Sequence, residues 1–251
     1  MLIRCDRHTI KDLEMWRQYE SADEIHGSHV EEKFSQKAIN TIGEFLKNGS
    51  CYFSTSWGKD SVASIHLAWR LLGESLRVWN IRVTPNRNPY CDIVRDMFLS
   101  RFKIEYHEVV VDYSHIIKAE KTLSQYNKET DRLWHWAIRK IQVESGTMRH
   151  CLGIRANESN VRLLRCLRWR NNSPNGCAPL AWWKAEDVFG YLNYHDLPIH
   201  PNYAMLGGGR WDRHHLRVAE IGDSHGRGIG RNEWEKEYYS DFLRRCGYVN
   251  Y

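Results

Sequence analysis

The first fifty residues carry apolar side chains at helical spacing. The apolar positions of the first segment are Ile10, Leu13, Met15 and Trp16, and those of the second are Phe34, Ala38, Ile42, Phe45 and Leu46. Apolar residues that recur every three or four positions place one face of a helix against a core. Asn48-Gly49 then ends the second helix, because glycine commonly follows the last helical residue. Residues 1–50 are therefore predicted to form a helical N-terminal extension.

Beyond residue 50, short β-prone runs alternate with helical segments. Strands are predicted at 51–55, 76–83, 104–111 and 150–154, and helices at 62–72, 91–102, 131–145, 157–167, 184–193 and 234–245. Strands separated by helices are typical of βαβ units, whose strands lie parallel in one sheet with helices on its faces. The predicted fold class is α/β, with an open, mostly parallel sheet in residues 51–205. Residues 206–251 are predicted to form a mobile, Gly- and Arg-rich flap and a last helix of the same domain.

The overall composition is that of an ordinary globular protein. Hydrophobic residues make up 42% of the chain and charged residues 27%, as in soluble domains. No apolar stretch is long enough to cross a bilayer, and the first residues lack the apolar core of a secretion signal. We therefore expect a cytoplasmic protein without a membrane partner, and a homo-oligomer is compatible with these features.

The seven cysteines are scattered and include no Cys-x-x-Cys pair. This pattern predicts reduced thiols rather than a zinc site, an iron–sulfur cluster or a redox dithiol. Arginines crowd one stretch of the chain, at positions 149, 155, 162, 165, 168 and 170. Because guanidinium groups bind phosphate and sulfate in a bidentate way, this stretch favours a polyanionic ligand. A solvated basic helix face is the alternative.

Residues Ser56-Trp57-Gly58-Lys59-Asp60-Ser61 lie between a predicted strand and a predicted helix. Glycine at such a junction allows close approach of a ligand, and the free N–H groups of the first helical turn attract anions. Lys59 adds a positive charge, and hydroxyl donors come from Ser54, Thr55, Ser56 and Ser61. The alternative is that Ser56 or Asp60 merely caps the helix, but capping leaves Lys59 unexplained. The spacing is not that of a Walker A loop.

This hexapeptide resembles the Ser-x-Gly-Lys-Asp-Ser loop of PP-loop ATP pyrophosphatases, in the form used by the phosphoadenosine phosphosulfate reductase-like branch. Trp57 stands where that family usually has Gly or Phe. A second resemblance is Gly153-Ile154-Arg155-Ala156-Asn157-Glu158-Ser159, which is similar to the family's Gly-Ile-Arg-x-x-Glu-Ser element and is followed by Arg162. A third runs through Pro179 to Tyr203 and resembles the Pro-Leu-x-x-Trp, Glu-Asp-Val and Leu-Pro-x-x-Pro-x-Tyr elements. The resemblance covers about residues 38–206.

The resemblance implies an adenine nucleotide alpha hydrolase-like fold and an enzyme that acts at the α-phosphate of ATP, with pyrophosphate as a product. It implies catalytic roles for Lys59, Asp60, Arg155 and Arg162, with Asp60 as a candidate Mg²⁺ ligand. The residues implied in nucleotide binding are Ser54, Thr55, Ser56, Trp57, Gly58, Lys59, Asp60, Ser61, Gly153, Arg155 and Glu158. The expected cofactors are ATP and Mg²⁺, and candidate partners are a nucleic acid or a sulfur-donor protein.

The chain departs from the family on the substrate side. Residues 82–89 replace an Asp-Thr-Gly-like turn, and Cys246-Gly247 is only a partial match to the Glu-Cys-Gly-x-His tail of the reductases. Two alternatives therefore remain: a thioredoxin-dependent reductase that uses Cys246, activated by flanking arginines, and a nucleotide-sensing or nucleic-acid-binding regulator without catalytic activity.

The last segment adds further candidates. Its arginines are suited to closing over phosphates or contacting a nucleic-acid backbone; they are Arg210, Arg213, Arg217, Arg227 and Arg231. Trp211 and Trp234 are candidates for stacking on a base or for a core role. A metal site at His214, His215 and His225 is disfavoured, because no spaced Cys or carboxylate pattern accompanies these histidines.

Overall fold

The computed structural model describes residues 1–117, 123–218, 220–222 and 230–248. Its centre is one sheet of parallel strands, which are β1 (Tyr52–Ser54), β2 (Arg77–Thr84), β3 (Glu105–Asp112), β4 (His150–Cys151) and β5 (Gly176–Cys177). Their order across the sheet is β3-β2-β1-β4-β5. The predicted α/β class with a parallel sheet is therefore confirmed.

Most of the helices agree closely with the apolar periodicity, although residues Ser114–Ile117 were not predicted to be helical. They are α1 (Ile10–Val30), α2 (Gln36–Leu46), α3 (Lys59–Leu72), α4 (Cys91–Arg101), α5 (Ser114–Ile117), α6 (Leu123–Ser145), α7 (Asn160–Trp169), α8 (Ala185–Tyr194) and α9 (Arg231–Cys246). One π-helical turn, Glu31–Ser35, joins α1 to α2. Thr9 begins α1 through a capping box with Asp12, which satisfies N–H groups that the helix itself leaves free.

Helix α6 and strands β4 and β5 differ from the sequence prediction. Helix α6 begins eight residues earlier than expected, because its first two turns are polar and carry no apolar period. Strand β4 is only two residues long, because the chain leaves the sheet at Leu152 to form a loop beside α3. Strand β5 lies at the end of a segment whose turn residues predicted only a loop.

The N-terminal helices belong to the same hydrophobic core as the sheet. Trp16 of α1 and Ile42 of α2 are buried in one cluster with Phe53 of β1 and Ile65 of α3. Helix α1 also packs tightly against α8, where a Cβ on Gly27 would lie 2.7 Å from the carbonyl oxygen of Gly190. Close contact of this kind needs glycine at the crossing point.

The strand order reverses between β1 and β4, which are neighbours in the sheet although α3, β2, β3 and α6 separate them in sequence. In open α/β sheets, ligands bind in the crevice outside the carboxyl ends of the strands at such a point. The loops that follow β1 and β4 both lie at this position, so the fold brings two of the predicted motifs together.

The segment predicted as a mobile flap is in part firmly anchored. Residues 206–218, here called the strap, lie against α1: Asp12 accepts hydrogen bonds from the N–H groups of Leu206 and Gly208, at 3.0 and 3.4 Å. The Arg213 guanidinium forms two 2.6 Å hydrogen bonds with the buried carboxylate of Asp23. Positions 219 and 223–229, including His225 and Arg227, lie outside the described residues. No helix among the described residues combines the length and apolar character needed to cross a membrane.

Candidate functional site

The loop between β1 and α3 is held in shape by its own hydroxyl groups. Ser61 Oγ donates to the Gly58 carbonyl at 2.9 Å and accepts hydrogen bonds from Thr55 Oγ1 and the Ser56 N–H, at 3.2 and 3.3 Å. Thr55 Oγ1 in turn accepts from the Trp57 N–H at 3.1 Å. Thr55 and Ser61 therefore organise the loop, although both also line the cavity described below.

Helix α3 begins without a side-chain cap. Its N-cap is Gly58, which has no side chain to accept a hydrogen bond from the first-turn N–H groups. The alternative in which Ser56 or Asp60 serves only as a helix cap is therefore not what the structure contains. N–H groups in the first turn of a helix have no intrahelical partner and carry a partial positive charge. The N-terminal end of α3 is thus suited to binding an anion.

Lys59 is the first residue of α3, and its side chain is only 4% exposed. The Lys59 ammonium lies 3.0 Å from Asp60 Oδ2 and 5.0 Å from the ring centroid of Tyr203. The Lys59 N–H donates to the Tyr203 hydroxyl at 3.1 Å. Tyr203 comes from the Leu-Pro-x-x-Pro-x-Tyr element, which sequence reasoning treated as mostly structural. Burial raises the pKa of Tyr203, so the phenol stays protonated and holds the start of α3.

Asp60 is a carboxylate between two cations. Its Oδ1 accepts from Arg155 Nε at 2.5 Å, and its Oδ2 pairs with Lys59. Burial by itself raises the pKa of Asp60, but the charges of Lys59 and Arg155 outweigh it and hold that pKa below its ordinary value. Both oxygens are thus already used, which does not fit the predicted role of Asp60 as a Mg²⁺ ligand. The described residues also contain no group of three or more His, Cys, Asp or Glu side chains placed to hold a metal.

The Gly153–Ser159 loop packs directly onto the start of α3. A Cβ on Gly153 would overlap the Asp60 carbonyl, with its carbon only 2.6 Å away. The Arg155 side chain is buried and also donates to Asn157 Oδ1 at 2.7 Å. It is not among the residues that line the cavity, so it holds Asp60 rather than a ligand anion, contrary to expectation. Arg155 therefore acts on the site through the carboxylate of Asp60.

Glu158 and Arg162 form the rim of the same loop. Glu158 accepts from the Arg155 N–H at 2.8 Å and pairs with the guanidinium of Arg162. The Arg162 side chain is 37% exposed and lines the cavity. Arg162 is therefore placed at the mouth, where it can reach an anion.

The side chain of Trp57 is turned away from the cavity, although it was predicted among the nucleotide-binding residues. Trp57 has a φ of +62° and is fully buried. Its ring lies 5.4 Å from that of Tyr106 and 5.9 Å from that of Phe98, and its Nε1 donates to the Tyr106 hydroxyl at 3.2 Å. Trp57 therefore anchors the loop to the core beneath it, which explains why a large residue is tolerated at this position.

These elements enclose a cavity of about 510 Å³ at the switch point of the sheet. The predicted residues that line it are Ser54, Thr55, Ser56, Gly58, Lys59, Asp60, Ser61, Gly153, Glu158 and Arg162. Sequence reasoning missed several further lining residues: Asn80, Arg87, Asn88, Cys91, Tyr113, Trp134 and Tyr203. Pockets of this size and mixed lining hold nucleotide-sized ligands.

Asn80 links the loop to the diverged segment after β2. Its side-chain amide donates to the Thr55 carbonyl at 2.6 Å and accepts from Arg87 Nη1 at 2.8 Å. Arg87 lies in the stretch 82–89 that departs from the family pattern. That departure was the available signal for a site on the substrate side, although it did not single out Arg87. Cys91 also lines the cavity, and burial raises its pKa to about 12, so it is a neutral thiol at neutral pH.

Cys246 does not lie at the cavity. Its thiol donates to the Pro85 carbonyl at 3.6 Å, and it is not among the lining residues. Burial raises the pKa of Cys246, and the nearby charge of Arg245 offsets this only in part. Arg245 therefore lowers this pKa as expected, but burial outweighs its effect and the net shift is upward.

Most candidates of the last segment have structural roles. Arg231 pairs with the buried Glu235 at 2.8 Å. Arg213 likewise pairs with the buried Asp23. Arg217, in contrast, lines the cavity. Trp234 is buried and donates to the Met205 carbonyl, so its role is in the core. Arg210 lies at the surface, 3.6 Å from Glu237, and Trp211 packs against Tyr238. His214 and His215 lie beside Asp212.

Two solved structures show the same fold. The U34-tRNA thiolase NcsA from Methanococcus maripaludis, solved with its [4Fe-4S] cluster, superposes with a TM-score of 0.53 at 13% identity over 88% of this chain and 74% of that chain. The phosphoadenylyl-sulfate reductase from Candida auris, in a phosphate complex, superposes with a TM-score of 0.52 at 11% identity over 80% and 96% of the two chains.

Sequence comparison narrows the assignment of this chain from a fold to a family. The phosphoadenosine 5'-phosphosulfate reductase of Xylella fastidiosa strain 9a5c is 24% identical over 95 residues, which are 38% of this chain and 36% of that protein. The match thus spans about a third of the relative's length. The model of the phosphoadenosine phosphosulfate reductase domain matches residues 50–206, more than half of the chain. The protein is accordingly a member of the phosphoadenosine phosphosulfate reductase-like family of the PP-loop superfamily.

Proposed function

We propose that this protein is a PP-loop enzyme that binds ATP, or a related adenine nucleotide, and transfers its adenylyl group with release of pyrophosphate. The observation that supports this most is the position of Lys59. It begins α3 at the switch point of the sheet, on the wall of a cavity of about 510 Å³. A lysine and a helix N-terminus at the wall of the same cavity are suited to a polyphosphate.

The charge balance of the site supports the same ligand. Lys59 and Arg155 share the single counter-charge of Asp60, so this buried group keeps a surplus of one positive charge. Arg162 and Arg217 also line the cavity, together with Glu158, which pairs with Arg162, and with the carboxylates of Asp131 and Glu220. Buried cations are costly unless an anion is near, and the phosphates of a nucleotide supply one.

In the proposed reaction, an oxygen of the acceptor attacks the α-phosphorus of ATP. A new P–O bond forms to the acceptor, and the bond to the bridging oxygen between the α- and β-phosphates breaks. Pyrophosphate leaves with the electron pair of that bond. Lys59 and the first-turn N–H groups of α3 stabilise the negative charge that develops on the leaving group, as pre-positioned donors do in other enzymes.

The acceptor is proposed to be a nucleic acid or a modified nucleotide that is activated for sulfur or nitrogen insertion, with a sulfur-donor protein as a further partner. Exposed Trp134 and half-exposed Arg162 both line the cavity, where an aromatic ring and a guanidinium suit a base and a phosphate. One structural neighbour is a U34-tRNA thiolase, which agrees with this idea, although the likeness itself shows only the fold.

Pyrophosphate release tests this proposal. The protein, incubated with ATP as its magnesium salt and with total RNA or single-stranded DNA, should release pyrophosphate, and Lys59→Ala should lower the rate at least about hundredfold. The matched control is Lys47→Ala, which removes an exposed lysine that pairs with exposed Glu44 and should leave the rate unchanged. Equal rates for Lys59→Ala and the wild type would refute the role of Lys59.

Family membership favours a second candidate, the thioredoxin-dependent reduction of phosphoadenosine phosphosulfate. This reaction needs a nucleophilic thiol at the sulfonate, but the Cys246 thiol lies outside the cavity lining and burial raises its pKa. We therefore expect no sulfite release from that substrate with thioredoxin. Sulfite release that Cys246→Ser abolishes would establish the reductase instead, and ATP binding without turnover on any acceptor would favour a regulator.

A further inference from the structure

Helix α7 turns its apolar residues toward the solvent. Val161 is 77% exposed, Leu164 66% and Leu167 61%, and on the opposite side only Cys166 is buried. At 100° per residue, Leu164 stands at the centre of the exposed face, with Val161 and Leu167 on either side of it. A surface helix of a globular protein normally faces its core with this stripe.

Two arginines of α7 lie on its inner side. Arg162 pairs with Glu158, and Arg165 Nη2 donates to the Gly176 carbonyl at 3.1 Å. The principal neighbour of α7 is the short turn Ala156–Glu158 that precedes it. Helix α7 is therefore amphipathic, but its apolar face points to the solvent and two of its arginines face the protein. Contiguous apolar patches of more than a few hundred Å² are rare on monomers and mark interaction surfaces.

We propose that this face binds the same face of a second copy of the chain, with the two α7 helices antiparallel across a two-fold axis at Leu164. In this arrangement Leu164 meets its own equivalent, and Val161 meets Leu167 of the second copy. The flanking polar positions also match, because exposed Arg168 comes opposite the side-chain amide of Asn160 of the second copy. A two-fold interface requires such a self-complementary surface.

The other arrangements of α7 are less favourable. Parallel packing would place Arg168 against Arg168 of the second copy, so that two like charges would meet at the edge of an apolar contact. A membrane surface would require several basic side chains of α7 to reach lipid headgroups, but of its three arginines only Arg168 is exposed, whereas Arg162 and Arg165 are turned inward onto Glu158 and Gly176. The antiparallel pair satisfies both the apolar and the polar positions.

The interface would also border the proposed active site, because the same loop and helix supply Glu158 and Arg162 to the cavity lining. Stable dimers bury about 800 Å² on each partner, so α7 would form the centre of a larger contact. This inference does not depend on the reaction at the α-phosphate, since the α7 face is defined by its exposure alone.

Light scattering after gel filtration, over micromolar to tens of micromolar protein, tests the dimer. The wild type should be a dimer, and Leu164→Glu should raise its dissociation constant at least about tenfold, which is about 1.4 kcal/mol. The matched control is Ile25→Glu, because Ile25 of α1 is 81% exposed and lies outside α7. This control should dimerise like the wild type, and both variants should keep the circular dichroism of the wild type.

Cross-linking tests the proposed axis. Leu164→Cys should form a disulfide-linked dimer under mild oxidation, because the two copies of residue 164 face each other, whereas Ile25→Cys and the wild type should not. A monomeric wild type at all concentrations, or a dimer that Leu164→Glu leaves intact, would overturn the proposal. Binding of the monomer to anionic vesicles that is lost in Leu164→Glu would assign the face to a membrane instead and would equally overturn it.

Discussion

Asp60 forms ion pairs with two buried cations of the site. Its oxygens pair with Lys59 at 3.0 Å and with Arg155 at 2.5 Å, and the two cations come from separate motifs that lie far apart in sequence. The carboxylate therefore joins the loop after β1 to the loop after β4. Sequence reasoning identified all three residues, but it assigned Asp60 to a metal and Arg155 to a ligand, because pairing between distant residues has no local signature.

Replacing Asp60 by Asn should destabilise the protein by about 3–5 kcal/mol, because it leaves the buried Lys59 and Arg155 without a counter-charge. Urea denaturation at neutral pH measures this difference. Asp96→Asn is the control, since the Asp96 side chain is 67% exposed beside Arg95 and surface changes usually cost less than about 0.5 kcal/mol. A change of that small size for Asp60→Asn would contradict the buried pairing.

The same comparison has a defined pH dependence. The pKa of Asp60 in the folded state is below its ordinary value of 3.8, so its stabilising contribution is complete above that value and is lost as the pH falls through the lower folded pKa. The stability difference between wild type and Asp60→Asn should therefore stay constant from neutral pH to about pH 5 and shrink only below about pH 4. Loss of the difference already near pH 6 would show that a different group carries it.

At the scale of elements, the contact between the β4 loop and the start of α3 shapes the floor of the site. Gly153 leaves no room for a side chain because its Cβ position is occupied by the Asp60 carbonyl. The apolar pattern predicted α3 and β2 to within three residues of their observed ends, because the apolar residues of their buried faces lie within these segments themselves. The early end of β4 was not predictable, since it depends on how the chain passes α3.

Gly153→Ala should destabilise the protein by about 1–3 kcal/mol, because the added methyl group overlaps backbone that cannot move away freely. It should also weaken ATP binding, measured by calorimetry, by displacing the first turn of α3. Gly43→Ala is the matched control: the nearest atom to its Cβ is Leu71 Cδ2 at 3.9 Å. There, alanine should be neutral or stabilise helix α2 by up to about 1 kcal/mol. Identical effects at both sites would contradict the tight contact.

At the scale of the whole molecule, the chain closes on itself through α1. The strap is tied to α1 by Arg213 and Asp23, and the buried Arg213 guanidinium also lies 4.1 Å from the ring centroid of Phe189 in α8. Arg7, which precedes α1, pairs with Asp241 of α9 at 2.6 Å. The segment before α1 is therefore joined to α9, and the strap that carries Arg217 to the cavity is anchored to α1.

Asp23→Ala should destabilise the protein by about 3–5 kcal/mol, because it leaves a buried guanidinium unpaired. The double variant Asp23→Ala, Arg213→Ala should lose less than the sum of the two single variants, with a coupling of about 0.5–3 kcal/mol. Urea denaturation measures all three. Arg210→Ala, at an exposed position of the same strap, should change stability by less than about 0.5 kcal/mol. Strict additivity at Asp23 and Arg213 would contradict the clamp.

By itself, the sequence determined the fold class, most helices and long strands, and the family, because apolar periods and the motifs after β1 and β4 are local patterns. It also located ten of the residues that line the cavity. Only the tertiary structure decided that Trp57 faces the core, that Arg155 serves Asp60, that Cys246 lies away from the site, and that α7 presents its leucines to solvent. Each of these features depends on which distant segments of the chain contact each other. Because such contacts form only when the chain packs, no local sequence pattern predicts them.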